Sequence, residues 1–400
     1  MKRALAAAVL LLFACRGRES APPPPPPAAL PSDAAERSSL TDLTRGAVVV
    51  WRSGEALLEN SAIAAIDGEL GSYWANMPND YPQSLVVALG APARIERVGI
   101  RSFGKPFFVP KETTFESSKD GVAFQPLATL HPTPSPDPQW VDVRPTDAAF
   151  LRVTLVAPTV DHGQVCMASL LVQGRELAPA RPGSIAGTWR INGRDAEFSS
   201  DARGAMQYAH STLFFEGGSN GRFYRYEWIR DAEFGYAALT VTPDGKHLNG
   251  IQWHEEIAGL YFGDAWFGER ADGHVAAPAA DVAHEFLRRS GHHSLYNLRF
   301  GADDTLDTAA SAEGLKWLVD ELRRQPHPRL VAHEFREKTP EANRARAQRA
   351  LDSLAKALQN AGVELRRVAL VAAGSDNPRQ IPGSEAAREL YSTIDLEVGR

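Results

Sequence analysis

Ala65-Ile66-Asp67-Gly68-Glu69-Leu70-Gly71-Ser72-Tyr73-Trp74 and, nine residues on, Gln83-Ser84-Leu85-Val86-Val87-Ala88-Leu89-Gly90 carry the reading of the first half of this chain. Asp-Gly is turn chemistry: the carboxylate can close on backbone two residues ahead, and glycine accepts a positive φ at no steric cost. The second stretch is itself a short apolar run, Leu85 to Leu89, closed by glycine. Ile95 to Ile100 and Phe150 to Val156 repeat that texture, each bounded by Gly or Pro. Short β-type runs at this spacing predict an antiparallel β-sandwich.

Taken in order, these elements resemble the discoidin, or coagulation-factor C-type, domains of the galactose-binding-like fold. The pattern is an Asp-Gly turn, a Trp a few residues later, a strand ending in Leu-Gly and then a Val/Ile strand. Ser118-Lys119-Asp120-Gly121 and Leu151-Arg152-Val153 continue it, so the resemblance covers most of residues 41–178. It implies weak carbohydrate binding, with Tyr73 and Tyr81 as candidate sugar-stacking residues and Trp74 as a core residue. The Asp-Gly turn of such folds sometimes helps hold a structural calcium, which makes Asp67 the calcium candidate. The Glu that usually completes that site falls at about Ser169, and calcium wants several oxygen ligands. No cofactor is therefore expected.

At the other end of the argument, Lys2 and Arg3 precede an apolar run from Ala4 to Phe13 that stops at Ala14-Cys15. The run has signal-peptide length and is too short to span a bilayer. Leu12-Phe13-Ala14-Cys15 resembles the lipobox of bacterial lipoproteins. That resemblance implies a signal peptide at 1–14, acylation of Cys15 and a place in the cell outer membrane; the alternative is an ordinary secretory signal with an incidental cysteine. Each buried methylene contributes roughly 0.8 kcal/mol, so several acyl chains anchor firmly where one does not. Residues 15–40 then read as a linker, stiffened by the six prolines Pro22 to Pro27.

Composition narrows the function. The 400 residues are 44% hydrophobic and 23% charged with a formal net charge of −6, and more acidic once Lys2 and Arg3 leave with a signal. Nucleic acid is not an expected partner, because phosphate neutralisation needs clustered Lys and Arg. Of the two cysteines, Cys166 lies in an apolar run and reads as a buried core residue.

Residues 183–270 are rich in aromatics and glycine. Tyr224, Tyr226 and Trp228 alternate with Arg225 and Glu227, as half-buried strands do, and Thr242 to Lys246 is a turn. The expectation is a small antiparallel sheet or open barrel. Gly187-Thr188-Trp189 resembles the Gly-x-Trp of lipocalins, which implies a small-lipophile carrier, but the segment looks short for an eight-stranded calyx.

The period changes after residue 285. Leu315, Leu318, Val319 and Leu322 keep helical spacing, and so do Ala347, Leu351, Leu354 and Leu358. Strands are expected at Leu295 to Phe300, Arg329 to His333, Val368 to Ala372 and Ile394 to Val398. This α/β alternation over 285–400 resembles the OmpA-like domain, a βαβαβ unit that holds peptidoglycan in many envelope proteins. The resemblance rests on Arg299-Phe300, Leu330 to His333, Asn343, Arg349, Gly362-Val363 and Gly374 to Pro378, with Ile394 to Val398 closing it. The family clamps diaminopimelate with an Asp two residues after the His and an Arg on the next helix. Those positions are Phe335 and Ala350 here. Only Asn343 and Arg349 carry over as candidate wall-binding residues, and weak or lost peptidoglycan binding is expected.

No catalytic constellation is legible. His284, His292, His293 and His333 lack metal-site spacing and read as surface or loop histidines. Glu255-Glu256, Asp231 and Glu233 could serve a glycosidase but read as exposed faces and turns. Arg344, Arg346 and Arg349 make a basic helix face, read as solvated or as set against an acidic glycan. The expectation is a non-enzymatic envelope lipoprotein that binds and tethers. Its partners would be the membrane, through the lipid, and peptidoglycan or another glycan. The rivals are a glycan-processing enzyme with a targeting sandwich and a lipophile carrier.

Overall fold

A computed structural model describes residues 39–399, apart from 58–59, 69–70, 79, 103, 162, 200–202, 255–263, 273–280, 377–387 and 389. Cys15 and the whole signal and proline linker up to residue 38 lie outside the described residues, as do Glu255 and Glu256. No helix among the described residues is long and apolar enough to cross a membrane.

The first module contains β1 (Val48–Arg52), β2 (Trp74–Ala75), β3 (Gln83–Arg101), β4 (Thr113–Ser118), β5 (Gln125–Leu130), β6 (Gln139–Leu155), β7 (Cys166–Met167) and β8 (Ser169–Glu176). The main antiparallel sheet runs β1-β3-β6-β4-β5, with β8 also on β3, and β2 pairs with β7. Strand β3 explains how one sheet encloses a core. Leu85, Val87, Leu89, Ala93 and Ile95 keep one parity, and the buried set then shifts to Val98 and Ile100. The ladder breaks its register between Ile95 and Arg97, as a bulge does: one extra residue bends the strand and resets which parity faces inward. Both halves of β3 thus feed one core, together with Leu151, Val153 and Leu155 from β6 and Leu170 and Val172 from β8. Cys166 is buried, as expected, and Trp74 is a core residue whose indole N–H donates to the Gly54 carbonyl at 2.9 Å.

The second module corrects an expectation. Strands β9 (Gly187–Ile191), β10 (Arg194–Phe198), β11 (Arg203–Gln207), β12 (Thr212–Ser219), β13 (Tyr224–Arg230), β14 (Glu233–Val241), β15 (His247–His254) and β16 (Asp264–Arg270) form a closed barrel, neither a small sheet nor an open one. Eight strands fit because each is only five to nine residues long. Closure comes from β16 on β9, where Arg270 faces Trp189 across the ladder. The interior is occupied by Trp189, Phe198, Phe215, Tyr226, Trp228 and Trp266. At one end the Arg270 guanidinium lies 3.9 Å over the Trp189 ring and donates to the carbonyls of Ser184, Ala186 and Gly245.

The third module holds α1 (Val282–Ser290), β17 (His292–Ser294), α2 (Ala312–Arg324), β18 (Arg329–His333), α3 (Pro340–Asn360), β19 (Ala369–Gly374) and β20 (Thr393–Glu397). Its sheet runs β17-β20-β18-β19, with β18 and β19 parallel across α3. Both helices bury the faces their periodicity announces, Leu318, Val319 and Leu322 on α2 and Ala347, Leu351, Leu354 and Leu358 on α3. Two expectations fail here. The first strand lies at 292–294, and Leu295 to Phe300 is a loop in which Leu298 N–H bonds the Leu295 carbonyl. Leu295 and Leu298 reach the core at turn spacing, which competes with strand alternation. The boundary at 285 also cuts α1, whose Val282, Ala283, Phe286 and Leu287 are buried.

The three modules share a further core. Leu43 and Ile63 from the first, Phe223, Ile229, Tyr236, Ile251 and Trp253 from the barrel wall, and Val282, Phe286, Phe335 and Tyr391 from the third pack into a single cluster. Outward-facing residues of β12 to β15 are apolar here because the third module covers them.

Candidate functional site

At the sandwich end where β3 and β4 begin, loops 76–82, 105–109 and 156–165 are stitched together. The Gln164 backbone N–H donates to the Phe107 carbonyl at 3.1 Å, and its side-chain amide bonds the Asn76 carbonyl. Thr159 donates its hydroxyl to Pro106 and its N–H to Val109. The Asn76 side chain, buried, accepts from the Val165 N–H at 3.3 Å. A Cβ at Gly163 would sit 2.7 Å from the Phe107 carbonyl oxygen, so the loops approach this closely only around glycine. This backbone frame holds apolar side chains outward: Met77 is 55% exposed and Phe107 45%, with Val160 beside them on the third loop. Phe107 and Phe108 stand edge to face at 5.2 Å. The result is a rigid apolar and aromatic rim, suited to stacking against a flat, partly apolar surface such as a sugar face.

The sequence-derived residues sit around it unevenly. Tyr81 is half-buried against the sandwich core and donates its hydroxyl to the Gly163 carbonyl at 3.1 Å, so it braces the loop frame. Tyr73 is half-buried where the chain enters β2. Asp67 is buried and accepts from the Ser72 hydroxyl at 2.7 Å, closing its own turn. Among the described residues no three His, Cys, Asp or Glu side chains gather as a metal site. Phe107 and Met77 escaped sequence reading because nothing in a run such as Lys105-Pro106-Phe107-Phe108 separates an exposed phenylalanine from a buried one.

On the third module, Asn343 is buried and its amide bridges the Glu337 backbone, accepting from the N–H at 2.8 Å and donating to the carbonyl at 3.3 Å. Arg349 pairs with Asp304 at 2.8 Å, and Arg346 reaches Asp304, Glu334 and Glu337. Arg344 pairs with Asp376. The basic helix face is therefore committed to carboxylates from neighbouring loops and is not simply solvated. Phe335 is buried in the shared core, and its N–H bonds the Ser392 hydroxyl.

Three of the histidines are not surface groups. His292, His293 and His333 are buried because β17 and β18 meet the barrel wall or the sheet interior, while His284 is exposed. His292 Nε2 lies 2.8 Å from the Tyr236 hydroxyl, and His293 Nδ1 lies 2.5 Å from Glu227. Asp231 lies in the exposed turn before β14, and Glu233, the first residue of that strand, is exposed and paired to Arg230.

Compared with known proteins, residues 50–170 match the F5/8 type C domain family, and that segment is such a domain. The C-terminal domain of a chitobiase from Bacteroides fragilis aligns at 18% identity and TM-score 0.31, over 34% of this chain and 97% of that one. The family 32 module of NanJ from Clostridium perfringens, solved with galactose, aligns at 20% identity and TM-score 0.30, over 34% and 97%. A further family 32 module, from a family 31 glycoside hydrolase of Clostridium perfringens, aligns at 14% identity and TM-score 0.32, over 36% and 100%. No curated protein matches the sequence.

Proposed function

We propose that this protein is a non-enzymatic lipoprotein of a bacterial outer membrane that binds glycan through its F5/8 type C domain. The observation that carries the reading is the rim at the end of that domain: Met77, Phe107 and Val160 held outward on loops that are bonded to one another. A side chain left in water on a rigid frame is pre-organised, so binding loses little conformational entropy. The membrane attachment rests on Leu12 to Cys15, with acylated Cys15 as anchor. The β-α-β-α-β order of the third module, with its parallel β18 and β19, supports an OmpA-like arm. With Phe335 and Ala350 in place of the clamp, that arm grips peptidoglycan weakly.

Fractionation of cells carrying wild type and Cys15→Ser, followed by a glycan array and a peptidoglycan pull-down with full-length protein in detergent, tests this. The wild type should be acylated and membrane-bound, the serine variant released, and the array positive with little retention on peptidoglycan. An unacylated wild type defeats the anchor, and a blank array defeats the glycan reading.

A further inference from the structure

A cleft of about 180 Å3 opens where the β12–β13 end of the barrel meets the third module. It holds the volume of about six water molecules, room for one small ring. Three guanidiniums line it, those of Arg225, Arg299 and Arg336, with the carboxylates of Asp304 and Glu334. Both carboxylates are already engaged, Asp304 by Arg346 and Arg349 and Glu334 by Arg336 and Arg346. The remaining two cations make no ion pair among the described residues. Arg225 lies 4.3 Å over the Tyr296 ring and donates to its hydroxyl at 3.2 Å. Arg299 is half-buried, and among the described residues its guanidinium has neither hydrogen bond nor ion pair. Burial lowers its pKa, opposed by the Tyr224 phenol.

His333 completes the cleft. It is 9% exposed, and among the described residues neither ring nitrogen has a hydrogen-bond partner; an Asp395 carboxylate oxygen lies 3.9 Å from Nε2. A buried polar group left unpaired is costly, so one that faces an open cleft is poised to take a partner from a ligand. Phe223, Tyr296 and Phe300 supply aromatic walls, and Asn220 and Thr393 supply further polar groups.

We propose that this cleft binds the carboxylate of a sugar acid, through Arg299 and Arg225, with His333 bonding a neighbouring hydroxyl. Anionic charge answers the guanidiniums without an acid partner, the aromatic walls suit a ring face, and a sugar hydroxyl, both donor and acceptor, can meet the imidazole in either tautomer. The site needs both barrel and third module, since Arg225 comes from one and Arg299 and His333 from the other. It is separate from the sandwich rim and stands whether or not that rim binds glycan.

Isothermal titration of full-length protein in detergent with glucuronate, glucose and sulfate is the test. Glucuronate should bind in preference to both others, and more weakly as salt rises. Arg299→Gln and His333→Ala should each weaken it, the arginine variant by roughly ten- to a hundredfold, the weight of a charge-assisted hydrogen bond. Salt dependence in the wild type serves as readout should a variant fail to fold. No glucuronate binding, equal binding of glucose, sulfate binding as tight as glucuronate, or a folded Arg299→Gln that binds unchanged overturns the proposal.

Discussion

Glu227 on the barrel wall and His293 on β17 share a hydrogen bond of 2.5 Å with both side chains buried, and the same carboxylate accepts the Ser294 N–H at 2.8 Å. Burial alone disfavours the imidazolium, but Glu227, Glu216 and Asp395 outweigh it, so His293 titrates above its ordinary 6.5. A raised histidine contributes stability that is fully present below the unfolded pKa of about 6.5 and is lost as pH climbs through the higher folded value. Glu216, raised by burial, has the same sign. Thermal melts should therefore show Tm falling between pH 6 and 8, with Glu227→Gln flattening the slope. Glu227→Ala should cost about 3–5 kcal/mol, since it strands a buried charge. A level wild-type Tm across that range would contradict the sign.

Phe286 on α1 packs edge-on to Phe234 at 5.4 Å and against Tyr236 at the same separation, fully buried in the shared core. Phe286→Ala removes a ring from a place ringed by three modules, with little freedom to collapse. Urea denaturation should show a loss of about 3–5 kcal/mol. A loss well under 1 kcal/mol would mean the junction is loosely packed.

The sandwich rim should behave in the opposite way. Phe107→Ser and Met77→Ser touch exposed side chains and leave the loop hydrogen bonds, none of which uses these two side chains, in place. Stability should stay within about 0.5 kcal/mol of wild type, while glycan-array signal drops. Unchanged array signal from the folded double variant would move the binding surface elsewhere.

Cys166 is buried, and burial pushes its thiol up to about 12. The thiolate is the reactive species. Iodoacetamide at pH 8 should leave native protein unlabelled and modify it on unfolding in urea, as read by intact mass. Rapid native labelling would place Cys166 at an opening.

The strands at Leu85–Leu89 and Arg329–His333 were legible as short apolar runs, and the helix at Leu351–Leu358 through clean 3.6-residue spacing. Barrel closure was not, because pairing of β16 with β9 joins residues about eighty positions apart and leaves no local mark. Leu295 to Phe300 misled through its apolar content, which serves a turn. The buried histidines misled for a related reason: composition cannot say that another module covers a strand. The cleft residues fall under the same blindness, since Arg225 and His333 meet only after the modules dock.

That docking has a mechanical consequence. A cluster built from Leu43, Phe223, Phe286 and Tyr391 ties stretches of chain hundreds of residues apart into one packed body. Contacts of such long sequence separation are slow to form, because loop closure must precede them. A pull applied between the sandwich and the closing strand β20 would thus load side-chain packing and not an extensible tether. The piece should yield as a whole, at one force, before any module lets go separately.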